Sequence, residues 1–182
     1  MYGLVNKAVQ GLICDRFGEE TWNRILEESG VDITDFVAMQ AYDDQVTLDL
    51  VATASRVLDA PADGLLEAFG EYWTIYTAEE GYGSLLDSTG NTLTEFLANL
   101  DNLHTRVSLA MPDLRPPSFE YEEVSEGLAR LHYRSEREGL SPMVIGLLKG
   151  LSVRFKTPID IKLVEDRSKG SEHDVFEVRI LD

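Results

Sequence analysis

One histidine stands where a ligand would stand. His104 follows Leu93, Leu97 and Leu100 and precedes Val107. Steps of three and four place its imidazole on the inward stripe of an amphipathic helix. Two readings follow from that position. The ring can be a core histidine with both nitrogens satisfied, or it can offer a neutral imidazole from a rigid helix into an apolar cavity.

A second constellation lies at Tyr133, Ser135 and Arg137. In an extended chain these alternate positions point to one side. Two hydroxyls and a guanidinium on one edge match an acceptor with several oxygens, such as a pair of carboxylates. Arginine supplies the bidentate, charge-assisted contact that lysine reproduces poorly. The alternative is a polar strand face turned to solvent. No cluster of His, Cys and carboxylate with zinc spacing accompanies His104. A single axial ligand suits haem iron better than zinc, because a porphyrin supplies the other nitrogens.

The aromatic set Phe69, Tyr72, Trp73 and Tyr76 recurs at helical spacing and reads first as core. The acidic pairs Asp43-Asp44, Glu79-Glu80 and Glu122-Glu123 read as solvated faces. No GxSxG, HExxH, P-loop or GxGxxG motif occurs. Cys14 is the only cysteine, so an intramolecular disulfide, a four-cysteine zinc site and CxxC redox chemistry are excluded.

The elements that must position these residues fall into two blocks. Up to about residue 110 the apolar period is helical. Leu4, Val5, Ala8, Val9, Leu12 and Ile13 form one face, with a stop at Gly18. Trp22, Ile25 and Leu26 mark a second helix ending near Gly30, and Val46 to Val57 a third. Pro61 opens a fourth, with Asp59 as its predicted cap. Breaks follow at residues 81–83 and 87–90, then one amphipathic helix is predicted from Leu93 through Val107. The segment from Met111 to Pro117 contains Pro112, Pro116 and Pro117, which forbid a helix. Beyond it the period becomes two. Residues 119–124, 128–134, 159–164 and 175–181 read as strands, with one helix at about 141–155 capped by Ser141 ahead of Pro142. Residues 166–171 read as a hairpin connection. Segregated helices and strands predict an α+β fold: a helical N-terminal lobe, then a small antiparallel sheet with one packed helix.

A chain of 182 residues fits one domain. Sixteen Lys and Arg against 33 Asp and Glu give a net charge of −17, which disfavours nucleic-acid backbones and anionic membranes. No apolar run is long enough to span a membrane, and the N-terminus lacks a signal-peptide core. The expectation is a cytoplasmic protein.

Taken together, the residues resemble the haem-nitric oxide/oxygen binding (H-NOX) family, which is also the sensor domain of soluble guanylate cyclases. The resemblance runs from MYGLVNKAV through the C-terminal strands. It rests on Tyr-x-Ser-x-Arg at 133–137, on His104 within LDNLHTRV, on LRPP, and on the FGEYW helix. It implies a single domain over 1–182 that holds haem b between a distal lobe at about 1–60 and a proximal lobe at about 61–182. It further implies that His104 is the proximal iron ligand and that Tyr133, Ser135 and Arg137 bind the propionates. Pro117 would press on the porphyrin, and Leu100 would line the proximal wall. Val5, Trp73, Met143 and Leu147 would form the distal pocket. Members that hold dioxygen offer a distal tyrosine where this chain has Met143, which donates nothing useful. The expectation is nitric oxide and carbon monoxide binding with dioxygen excluded or weak.

The same resemblance implies a switch. Nitric oxide would weaken the trans iron–histidine bond, freeing the helix and shifting the lobes. The 182 residues would be taken up by the sensor, with no catalytic output domain. The output would go in trans to a histidine kinase or a cyclic-dinucleotide enzyme. Two other readings stay open: a haem peroxidase or oxidase, which needs a distal acid–base group, and a haem-free interaction scaffold.

Overall fold

The computed structural model describes residues 1–181. Four helices come first: α1 (Gly3–Phe17), α2 (Glu19–Ser29), α3 (Asp44–Val57) and α4 (Ala62–Thr77). Gly18 and Gly30 end α1 and α2 at φ +87° and +69°, left-handed values that glycine adopts at little cost. Ala8, Leu12, Ile25, Phe36, Leu50 and Phe69 meet in a first apolar core. Ile25 and Leu50 are fully buried, and truncating either to Ala should cost about 2–5 kcal/mol.

A wide turn at Ala78–Tyr82, with Gly81 at φ +93°, leads into α5 (Gly83–Asp87), α6 (Leu93–Ala98) and α7 (Leu100–Ser108). The sheet follows: β1 (Ser118–Ser125), β2 (Leu128–Arg134), then α8 (Ser141–Phe155), β3 (Ile159–Glu165) and β4 (Asp174–Ile180). Spatial order is β1-β2-β4-β3, antiparallel throughout. The register sets Phe119 opposite Tyr133, and Leu131 and Leu163 both opposite Phe176. This face packs on Val144, Leu148 and Leu151 of α8 and on Leu93, Phe96, Leu97 and Leu103, forming a second core. The fold is α+β, as the segregated periods predict. No helix among the described residues is long and apolar enough to cross a membrane.

Helix α4 joins the two cores. Its Phe69 is buried in the first, while its Gly70 meets α8 so closely that an added Cβ would lie 2.1 Å from the Met143 carbonyl oxygen. Gly146 and Gly150 answer from α8. A smaller cluster of Tyr2, Leu4 and Met111 ties the N-terminus to the proline segment, and the Asp113 N–H donates to the Tyr2 hydroxyl at 3.1 Å.

Three local expectations are corrected. The helix predicted from Leu93 to Val107 is two, broken at Asn99, whose amide Nδ2 donates to the carbonyls of Thr89 and Glu95. A side chain that bonds backbone acceptors competes with helix continuation. Asp59 does not cap α4; it sits at φ +49°, and Pro61 takes the cap position with no side-chain hydrogen bond. Ser141 lies inside α8 rather than capping it, and its hydroxyl donates to Asp174 at 2.6 Å. The connection at 166–171 does join the antiparallel neighbours β3 and β4, as the hairpin reading expects, and contains a 3₁₀ turn at Arg167–Lys169.

Candidate functional site

A cavity of about 560 Å³ lies where α1, α4, α7, α8 and the sheet converge. That is the usual size of a small-molecule or cofactor site. All ten residues to which the resemblance assigns a site role line it: Val5, Trp73, Leu100, His104, Pro117, Tyr133, Ser135, Arg137, Met143 and Leu147; of the aromatic set Phe69 also does, and Tyr72 and Tyr76 do not.

The His104 wall is built by α7. Its ring packs on Phe119 with centroids 5.7 Å apart, and its Nδ1 is buried without a hydrogen-bond partner. A core histidine with both nitrogens satisfied is therefore not what the fold contains. Burial lowers the His104 pKa, and Asp101 and the Pro117 backbone oppose the shift without reversing it. The neutral imidazole, the form that ligates metals, is favoured. Asp101 fixes the wall from below, since its carboxylate accepts the Phe119 N–H at 3.1 Å. Elsewhere on α7 Leu103 is the one fully buried residue, Leu100 and Val107 pack half-buried on the core, and Arg106 reaches the Ser88 hydroxyl at 3.1 Å.

Tyr133, Ser135 and Arg137 converge, but not through the pleat alone. Only Tyr133 lies within β2. The chain then leaves the strand and turns, with Ser135 Oγ accepting the Arg137 N–H at 3.0 Å. Tyr133 is buried, which raises its pKa; a hydrogen bond with Ser135 partly offsets this. The Arg137 guanidinium binds Asp44 with Nε at 2.7 Å and Nη2 at 3.3 Å, and Nη1 donates to the Arg115 carbonyl at 2.8 Å. Asp44 also holds the N-terminal ammonium. Burial would raise the Asp44 pKa, but Arg137 and the ammonium outweigh it and hold the carboxyl below its ordinary range.

The wall from α1, α4 and α8 is poor in hydrogen-bond donors. Val5, Met143 and Leu147 offer none. Thr47, Thr74 and Thr77 reach the cavity but spend their hydroxyl protons on Asn6 Oδ1 (2.6 Å), the Glu71 carbonyl (2.9 Å) and the Trp73 carbonyl (2.7 Å). Among these side chains the Trp73 indole N–H is left as a donor; the Tyr2 hydroxyl, which accepts the Asp113 N–H, also lines the cavity.

Sequence reading missed Asp44, Asp101 and Thr47. Asp44 lies 93 residues from Arg137, so no local pattern pairs them. The glycine seam had a local signal, the Gly146-x-x-x-Gly150 spacing.

A haem fits these residues on three counts. The cavity is large and mostly apolar, a buried imidazole with an unsatisfied nitrogen stands on one wall, and hydroxyl and guanidinium donors that suit carboxylates stand together elsewhere on it. Among the described residues no group of three or more His, Cys, Asp and Glu is placed to hold a metal ion.

Comparison with known proteins agrees. The Haem-NO-binding family matches residues 2–163. The soluble guanylate cyclase gcy-32 of Caenorhabditis elegans is 34% identical over 177 residues, covering 95% of this chain and 26% of that protein. The chain thus spans about a quarter of the length of the curated relatives it matches. The crystal structure of an H-NOX protein from S. oneidensis in the Fe(II)NO ligation state superposes with a TM-score of 0.92, at 19% identity, over the whole of both chains. The NMR structure of the SO2144 H-NOX domain from Shewanella oneidensis in the Fe(II)CO state gives 0.88 at 20% identity, over 100% of this chain and 99% of that one. At such identity the structural likeness carries the fold. The match over 162 residues carries more: this chain belongs to the Haem-NO-binding, or H-NOX, family.

Proposed function

We propose that the chain is a haem-based sensor of nitric oxide and carbon monoxide that binds haem b in the central cavity. The observation that supports it most is the His104 ring, with its orphaned Nδ1, on the wall of an apolar cavity that also gathers Tyr133, Ser135 and Arg137. Haem, when bound, would supply an iron able to take a diatomic gas. His104 would hold that iron from α7. Tyr133, Ser135 and Arg137 would hold the carboxylates, Arg137 dividing its charge between them and Asp44. Pro117 and Leu100 would pack on the ring. Val5, Trp73, Met143 and Leu147 exclude water from the gas side and leave only the Trp73 N–H as a donor. Dioxygen held there would need such a donor far more than the other two gases would.

Signalling follows from how little holds α7. Apart from His104, α7 is held by Leu103, by the partly buried Leu100 and Val107, and by Arg106 and Asp101. A short helix with few buried contacts is an element a ligand can move. Its motion would pass through Phe119 to the sheet and through Met111 and Leu114 to the N-terminal lobe. The receiver would be a separate histidine kinase or cyclic-dinucleotide enzyme, meeting an acidic surface with a basic one. A haem oxidase or peroxidase is less well supported, because neither Met143 nor the engaged threonines can act as a distal acid–base.

The test is the absorption spectrum of anaerobically reduced protein. Nitric oxide and carbon monoxide should each shift the Soret band. A stable new spectrum in air, persisting for minutes, would contradict the selectivity argued from the donor-poor wall. Colourless protein from haemin-supplied cells would contradict the whole reading.

A further inference from the structure

The Tyr-x-Ser-x-Arg segment leaves its strand after Arg134, so the pleat does not hold Ser135 in place. Something else must. Ser135 is the hub of the segment: its hydroxyl takes the Arg137 N–H and bonds Tyr133, and its own carbonyl accepts a hydrogen bond from Arg167 Nη1 at 2.7 Å. Arg167 opens the 3₁₀ turn between β3 and β4, 32 residues away. It does not line the cavity. Its main chain is itself clamped, since the Arg167 N–H donates to Asp174 Oδ1 at 2.7 Å while Ser141 donates to Asp174 Oδ2. Asp174 is buried at 6% exposure. Its carboxylate thus ties the start of β4, the start of α8 and the 3₁₀ turn together, and Arg167 extends that clamp to the Ser135 peptide. Both Arg167 and Asp174 lie beyond residue 163, where the family match ends.

We propose that Arg167 is a positioning residue for the carboxylate-binding segment: it fixes the Ser135 peptide so that the Tyr133 hydroxyl, the Ser135 hydroxyl and the Arg137 guanidinium converge on the carboxylates of the bound porphyrin. The inference rests on the haem reading above. A guanidinium suits the task because one nitrogen reaches the Ser135 carbonyl while Nη2 stays 3.4 Å from Glu138. With its side chain 41% exposed, removing it leaves no core cavity. The Arg167→Ala protein should therefore fold.

The experiment measures transfer of ferric haem from the intact protein to excess apomyoglobin, for wild type, Arg167→Ala and Arg167→Lys. It is repeated with haem dimethyl ester, whose carboxylates are blocked. Losing one charge-assisted hydrogen bond that orders the segment should speed haem loss by roughly tenfold in Arg167→Ala. Arg167→Lys should fall between the two. With the dimethyl ester, wild type and Arg167→Ala should release at the same rate, because no carboxylate remains to be held. Equal rates with native haem would overturn the proposal. So would equal acceleration with haem and its ester, which would mark a general structural role. Wild-type protein that takes up no haem at all would overturn the haem reading instead, and shows itself before any variant is compared.

Discussion

The contact between α4 and α8 sets the width of the proposed gas-side wall, and one methyl group should open it. An Ala Cβ at Gly146 would lie 1.9 Å from the Glu67 carbonyl oxygen, 2.8 Å from its carbon and 3.0 Å from the Glu71 nitrogen. All three are backbone atoms and cannot rotate aside. Ordinary contact begins near 3.4 Å, so the helices must part by about 1.5 Å. Overpacking of this kind costs about 1–3 kcal/mol, and the better helix propensity of Ala returns up to ~1 kcal/mol. With that offset in full the net loss is about 0–2 kcal/mol, or a fall in Tm of up to roughly 8 °C for a chain of this size. Gly64→Ala, on the exposed first turn of α4, has nothing within 4 Å of its added Cβ and should raise stability by about 0.5 kcal/mol. Trp73 on α4 and Met143 and Leu147 on α8 line the cavity from these two helices. Gly146→Ala should therefore also speed carbon monoxide association, read by flash photolysis, while Gly64→Ala leaves it unchanged. A Gly146→Ala protein as stable as wild type, with wild-type gas kinetics, would refute the argument.

Further outcomes are expected. Asp44→Ala should cost less than about 1 kcal/mol in urea denaturation, since the carboxylate is partly exposed and screened. It should also slow haem loss by leaving Arg137 wholly to the carboxylates. Because the Asp44 pKa is lowered in the folded chain, its contribution is present above the ordinary Asp range and lost as pH falls through the folded value; Asp44→Ala should flatten that part of the stability curve. His104 acts in a different window. Its lowered pKa means the unfolded chain binds the proton first, so the haem-free protein should lose stability as pH drops below about 6.5 and level off below the folded value. His104→Gln should remove that step. Met143→Tyr would place a hydroxyl on the proposed gas-side wall and should retain dioxygen long enough to be seen by stopped-flow, where wild type should not.

Much of this molecule could be read from residue order. The change of period after Pro117 located the sheet, and the inward stripe placed His104. What escaped reading depends on contacts distant in sequence or on side chains acting locally. Asn99 breaks a stripe that runs unbroken in hydrophobicity, because its amide takes the backbone carbonyls a continuous helix would use. Ser141 looks like a cap before proline, yet Asp174 from β4 claims its hydroxyl. The alternation of Tyr133, Ser135 and Arg137 suggested a flat polar edge, whereas a turn built on Ser135 Oγ gathers them. Asp44 read as one of a solvated acidic pair, and only the fold brings it to Arg137.

The central claim is that the His104 imidazole from α7 is what holds the iron, and replacing that ring in trans tests it most directly. His104→Gly, expressed with and without added imidazole, should be nearly colourless alone and regain its Soret absorbance with the imidazole. A His104→Gly protein that keeps wild-type haem content and an unchanged ferrous spectrum without imidazole would contradict it.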